Sequence, residues 1–462
     1  MLTAPDRMPG TLSAAAPAAA PAAAPAVAPA AATAAATAAA TAAATAGRPA
    51  WQAAETAARQ SYGRLLAWLA CQWRDMAAAE DALATALEKA LALWPTQGVP
   101  ETPDAWLLTV ARRELLQAAR RDRLHASPQV QALLDDEPAH DSAPALPDSR
   151  LTLLFVCAHP AIDAAVRPAL MLQAVLGLQA QQIAQAMLTS PAAMAQRLVR
   201  AKQKIRDAGL RFDEPGPDEW PGRLHAVLEA VYAAYGLGWD AIDSADGGEG
   251  GDAGVQGLRS EALFLADLVC SLLPARAHRA EAEGLLALIL FCEARAPARR
   301  GPDGGFVPLA EQDTACWQLD VIEQGNRVLA GAAAWGAPGP YQLEAAIQSA
   351  HCQRRVTGIT PWAGIVLLYQ RLLATAPSLG AEVAHAVACA QAGDVQRALA
   401  LLTALDSPRL ASYQPFWVAQ GHVAALAGHP EQARAALQRA VGLTGVPAVR
   451  AFLLGRLQAL GD

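Results

Sequence analysis

Bulky apolar residues recur every three or four positions along most of this chain, and that period restricts it to one fold class. Leu65, Leu66, Leu69 and Trp73 form one series, and Leu83, Leu87, Leu91 and Trp94 form another. A helix with 3.6 residues per turn gathers each series onto one face, whereas a half-buried strand needs strict alternation. The pattern predicts an all-α protein. Pro95, Gly98, Pro100 and Pro103 interrupt the second series, and Asp104 is a suitable cap for a third helix. The 53% hydrophobic content is largely Ala. Ala is small and the best helix former, so the figure implies neither a greasy surface nor a membrane protein.

Composition divides the chain into segments. Residues 1–50 are rich in Ala, Pro and Thr, and Val27 is the one bulky apolar residue between Ala14 and Ala46. Such a stretch has nothing to bury in a core or a bilayer, which predicts a disordered tail. Pro recurring through the Ala tract argues against a secretory signal. Residues 51–126 follow as a helical domain. An acidic flexible linker at 127–149 contains Asp135, Asp136 and Glu137, and a second helical domain covers 150–211. Three Pro and two Gly between Phe212 and Gly222 mark another boundary. Beyond it a helical extension occupies 223–374, with stretches at 223–235, 258–273, 280–294, 312–335, 341–354 and 361–374. A flexible interruption is expected at 244–257.

The net charge of -7 excludes a nonspecific nucleic-acid coat and directs attention to local patches. Seven cysteines, odd in number and without a CxxC pair, argue against a disulfide scaffold or zinc ribbon and for a reducing, cytoplasmic setting. Within LTLLFVCAHP (151–160) a buried helix ended by Pro160 is expected, with Cys157 packed beside a helix-end His159.

The most specific pattern lies between Pro168 and Arg206. A helix bearing Leu170, Leu172, Val175 and Leu176 stops at Gly177, and a short helix follows with Ile183, Ala184 and Met187. Ser190 and Pro191 then open a third helix, with Met194, Leu198, Ala201 and Ile205 on one side. The other side presents Gln196, Arg197, Arg200 and Lys204, with Lys202 and Arg206 nearby. Six basic residues against Asp207 leave +5 between Met194 and Arg211. A tight helix–turn–helix with a basic, exposed second helix suits the DNA major groove. The competing reading is a solvated surface helix whose cations favour its C-terminal dipole. The helix before the linker raises the same alternatives, since five Arg face two acids from Ala105 to Arg123.

Residues 375–462 contain a repeat. AGDVQRALALL (392–402) aligns with AGHPEQARAAL (427–437) at an interval of thirty-five residues, matching Gly393, Ala398, Ala400 and Leu402 to Gly428, Ala433, Ala435 and Leu437. The interval is near that of tetratricopeptide units. No nucleophile–base spacing, metal-ligand set or phosphate loop is present, so no catalytic residue, metal or cofactor is expected. His351 and His422 are expected to be structural.

The order of the segments GRLLAWL (63–69), AEDALATALEKALALWP (79–95), PDAWLLTVAR (103–112), LTLLFVCAHPAI (151–162), MAQRLVRAKQKIR (194–206), EQDTACW (311–317) and GPYQLEAAIQSAH (339–351) resembles a known family. It is similar to the extracytoplasmic-function sigma factors of bacterial RNA polymerase that carry a C-terminal helical, tetratricopeptide-like extension. The resemblance covers about residues 60–460. It implies that 51–126 is a region 2-like domain binding the polymerase core enzyme and the proximal promoter. There Asp81, Leu83, Leu87, Glu88 and Trp94 face polymerase, and Arg112, Arg113, Arg120 and Arg121 face DNA. It implies that 150–211 is a region 4-like promoter reader. Gln196 and Arg197 lie nearest the bases, and Arg200, Lys202 and Lys204 contact phosphate. Gln can pair with adenine and Arg with guanine. The extension is then expected to contact an unidentified protein or the front of its own chain. The alternative is a diverged helical interaction or regulatory protein with a weak or vestigial DNA-binding module.

Overall fold

The computed structural model describes residues 48–122, 148–187, 189–213, 215–216, 218–241, 252–273, 279–336, 338–408 and 410–460. Side chains are described throughout these ranges except at 48–60, 120–122, 185–186, 240–241 and 252–258. The expected 1–50 tail, apart from its last three residues, and the 127–149 linker, apart from its last two, lie outside the described residues. Regular structure among the described residues is helical, and the one β feature is an isolated bridge between Arg300 and Phe306. Contacts divide the chain into two compact units, one ending at Val227 and the other running from Leu228 to Asp462.

In the first unit, α1 (Arg48–Trp73), α2 (Met76–Gln97) and α3 (Pro103–Asp122) pack on one another. Asp75 caps α2 by accepting a hydrogen bond from the Ala78 backbone at 3.0 Å. Leu65, Leu66, Leu69, Leu83, Ala86, Ala90, Leu107 and Ala111 are fully buried, so the two apolar series share one core. Arg64 pairs with Asp104, and Lys89 with Glu114 at 2.6 Å, which ties α3 to both earlier helices.

Helices α4 (Arg150–Cys157) and α5 (Arg167–Leu176) pack against α1 in the same unit. The apolar run at 151–160 is helical, as its period suggested, and α4 ends two residues ahead of His159. Gly63 lets α1 and α5 approach closely, because a Cβ there would lie 1.9 Å from the Val175 carbonyl oxygen. Helix α5 stops at Gly177, whose φ of 70° is left-handed and favours a residue without Cβ. Then come α6 (Ala180–Ala186) and α7 (Pro191–Asp207), packed on each other and on α5. The first turns of α8 (Trp220–Ala241) are held to α4 by Phe155 against Trp220, edge to face at 4.8 Å, and by Arg223 donating to the Phe155 carbonyl at 2.7 Å.

The second unit is built on α10 (Arg279–Arg295), whose residues from Ala282 to Ala294 are buried except Glu283 and Glu293. Helices α9 (Asp252–Leu272), α11 (Leu319–Ala333) and α12 (Pro340–Cys352) surround it. Helix α9 begins inside the interruption expected at 244–257, of which 244–251 lie outside the described residues. Helix α11 starts at Leu319 and not at 312. The residues before it form 3-10 turns at Leu309–Glu311 and Thr314–Cys316, and Arg354 of the short α13 (Arg354–Thr357) donates to the carbonyls of Leu309, Ala310 and Gln312. The Glu281 carboxylate accepts from the Tyr341 and Gln342 backbone at 3.0 and 3.3 Å, capping α12 from another helix. Arg259 and Tyr235 both donate to Glu293 at 2.8 Å. His351 is half-buried, edge-on to Trp362, and loss of hydration beside Arg295 and Arg354 pushes its pKa well below the ordinary value.

After α14 (Trp362–Thr375), two helix pairs follow, α15 (Leu379–Gln391) with α16 (Val395–Ala404) and α17 (Gln414–Leu426) with α18 (Pro430–Leu443). Both members are offset by thirty-five residues, so the sequence repeat is a structural repeat. Its buried small positions are Ala398 and Ala433, each fully buried, with Leu402 and Leu437 beside them. Ala400 and Ala435 are exposed, one turn face away from the packing. A last helix, α19 (Pro447–Ala459), packs on α18.

Candidate nucleic-acid interface

The α6–α7 pair presents a basic helix face in the first unit. Ser190 is extended (φ −77°, ψ 144°) and its Oγ accepts from the Ala193 backbone at 3.2 Å, while Pro191 fills the first turn. Met194, Leu198, Ala201 and Ile205 are all buried and seat α7 on its neighbours. Helical geometry then turns Ala192, Gln196, Val199, Arg200 and Gln203 outward, and each is exposed. Lys204 is exposed in the last turn, and Arg197 is half-buried at the edge of the stripe. The sequence reading did not single out Val199 or Gln203. Val199 is 65% exposed, an apolar residue in the middle of a polar stripe.

The cations of α7 do not all share that stripe. Lys202 donates to Glu80 of α2, and the two side chains keep 11% and 15% of their exposure. Arg206 lies 3.2 Å from Asp75, the cap of the same helix. Burial pushes the Glu80 carboxyl up, and the Lys202 charge opposes that shift. Asp81 is raised by burial as well, against the pull of Lys202 and Arg206. Lys202, expected to face phosphate, is therefore placed in an ion pair within the protein. Its side chain leaves the outer stripe and runs toward α2.

On the front helices, Arg113 is exposed, while Arg112 is half-buried with its guanidinium 5.6 Å from the Trp68 ring centre. Arg120 and Arg121 fall in the last turn of α3, and their side chains lie outside the described residues. Asp81 and Glu88 are exposed and Leu87 is half-buried. Leu83 and Trp94 are buried, and Trp94 meets Trp106 edge to face at 5.5 Å. Exposing either to a partner would forfeit roughly 1.5–3 kcal/mol of burial each. The surface of α2 therefore offers Asp81, Leu87 and Glu88, and Leu83 and Trp94 hold that surface from beneath.

Among the described residues no three His, Cys, Asp or Glu side chains converge as metal ligands. Among the same described residues no helix is long and apolar enough to cross a membrane.

Residues 223–333 match a family of unknown function, DUF6596. An uncharacterized protein of Rhizobium meliloti (strain 1021) is 34% identical over 415 residues, covering 88% of this chain and 95% of that protein. No solved structure matches the chain.

Proposed function

The chain belongs to the family of the Rhizobium meliloti protein, and we propose that it acts as a bacterial RNA polymerase sigma factor. In this reading it directs the core enzyme to specific promoters and assists initiation, and the polymerase performs all bond chemistry. The observation that carries the proposal is α7. It has a capped start, a buried stripe of Met194, Leu198, Ala201 and Ile205, and an outer stripe with Gln196 and Arg200, which is what a major-groove reader requires. Gln196 and the edge residue Arg197 are assigned to bases, and Arg200 and Lys204 to phosphate. Arg112, Arg113, Arg120 and Arg121 of α3 are assigned to the proximal promoter. Asp81, Leu87 and Glu88 are assigned to polymerase, with Leu83 and Trp94 shaping the helix that carries them. The match to the relative is longer than either compact unit, so parts of both units are shared with it.

Purified protein mixed with core polymerase and a panel of genomic fragments should yield transcripts from defined start sites. Absence of core binding at low salt would retire the proposal. A second reading, an interaction protein with a vestigial reader, draws on the internal pairing of Lys202 and Arg206. It expects residues 223–462 to account for all partner binding, and DNA binding to be unaffected by Arg200→Ala.

A further inference from the structure

Around the corner between α13 and α14 the second unit leaves large aliphatic side chains in water. Val356 is 77% exposed, Ile359 72% and Leu367 65%, all within one short stretch of chain. Gly358 turns the corner with a left-handed φ of 73°, and Thr357 Oγ1 accepts from the Ile359 backbone at 3.2 Å, so Ile359 is held outward by its own turn. Ile365, Val366 and Leu372 bury the inner face of α14. Its outer face carries Ala363, Leu367 and Arg371 at intervals of four, a straight ridge of exposed residues. Gly364 lowers the surface beside that ridge, and a Cβ there would meet nothing within 4 Å.

The charge around the patch has one sign. From Gln353 to Thr375 there are three Arg and no acid, in a chain whose net charge is -7. Arg354 is turned inward to backbone carbonyls. Arg355 adjoins Val356 and Arg371 lies one turn beyond Leu367, and neither makes an ion pair with a described residue. The Arg355 Nε is buried without an acceptor. We propose that this patch docks an amphipathic helix of a partner protein, whose aliphatic side chains cover Ile359 and Leu367 and whose carboxylates meet Arg355 and Arg371. The proposal gives the extension a partner surface and is independent of the promoter reading of α7. Single exposed aliphatics are ordinary, but a cluster along one ridge is the footing on which helices pack. A donor already stripped of water gains more from a carboxylate than a hydrated one does. A second copy meeting the same patch across a twofold axis would set these guanidiniums against one another. A nucleic acid would satisfy them and leave the aliphatics uncovered.

The test uses the full chain, immobilised, to select from a phage-displayed library of random peptides long enough for about four helical turns. Enriched peptides are expected to carry aliphatic residues at helical spacing with Asp or Glu beside them. Fluorescence anisotropy then measures one enriched peptide against variants of the full chain. Leu367→Asp and Ile359→Asp should each weaken binding at least about tenfold. Arg371→Glu should do the same, and a version of the peptide with Lys in place of its acids should bind Arg371→Glu better than it binds the wild type. Leu454→Asp, at another exposed leucine, on α19, should change nothing. Where Leu367→Asp loses helical circular dichroism, Leu367→Gln carries the same expectation.

A selection that enriches no peptide overturns the proposal, and so does one whose peptides bind Leu367→Asp as well as the wild type. Enrichment of basic in place of acidic peptides overturns the charge assignment and the proposal with it. Two further measurements on the full chain separate the other occupants. Flotation with phosphatidylglycerol vesicles that Leu367→Asp abolishes would assign the patch to a lipid surface. A dimer seen by sedimentation, and dissolved by Leu367→Asp, would assign it to a second copy. Either result overturns the partner helix.

Discussion

Replacing Gly63 with Ala should destabilise the first unit, although the same change in most helices stabilises them. In an open helical site, Ala is favoured over Gly by roughly 1 kcal/mol. At position 63 the new Cβ would lie 1.9 Å from the Val175 carbonyl oxygen and 2.8 Å from its carbon, both backbone atoms that no rotamer change can move. Restoring van der Waals contact requires α1 and α5 to separate by more than about 1 Å, against the packing of a dense core. Overpacking of this kind costs about 1–3 kcal/mol, and here it is at the upper end because backbone must shift. Subtracting the propensity gain leaves a net loss of about 1–2 kcal/mol. Gly455 in α19 is the control, since a Cβ there meets nothing within 4 Å. Gly455→Ala should gain about 0.5–1 kcal/mol. Urea denaturation followed by far-ultraviolet circular dichroism measures both as changes in midpoint at constant slope. A neutral or stabilising Gly63→Ala variant would refute the close α1–α5 contact, and with it the joining of front helices and reader in one unit.

Ser190→Ala removes the acceptor for the Ala193 backbone and should cost about 1 kcal/mol, read as a lower urea midpoint, while Ser190→Asp should retain the cap. The second unit should lose stability as pH falls from about 6.5, where an unfolded His takes up a proton and half-buried His351 does not. The sign follows from a folded pKa lying below the unfolded one, so the unfolded state binds more protons in that window. Thermal melts of the wild type and of His351→Gln between neutral and mildly acidic pH check this, and an equal pH slope in both would remove His351 as the cause.

Much of this architecture was legible in local pattern. The stop at Gly177, the start at Ser190–Pro191, the buried stripe of α7 and the thirty-five-residue repeat are all set by neighbours within a few positions, where helix period and capping chemistry act. The period says which face of a helix is apolar. It does not say what stands opposite a charged residue. The partner of Lys202 lies 122 residues away, and its identity depends on how α7 is carried against α2 by the packing of α1 on α4 and α5. The same limit explains why Leu83 and Trp94 read as a docking face, when the three-helix core claims them, and why 312–318 read as α-helix, when Arg354 takes the Gln312 carbonyl from another element and the segment forms only a 3-10 turn at Thr314–Cys316. Short-range geometry therefore specified the helices and their caps. Long-range packing chose which charges remain free for a partner, because ion pairing depends on distance in space, which sequence spacing leaves open.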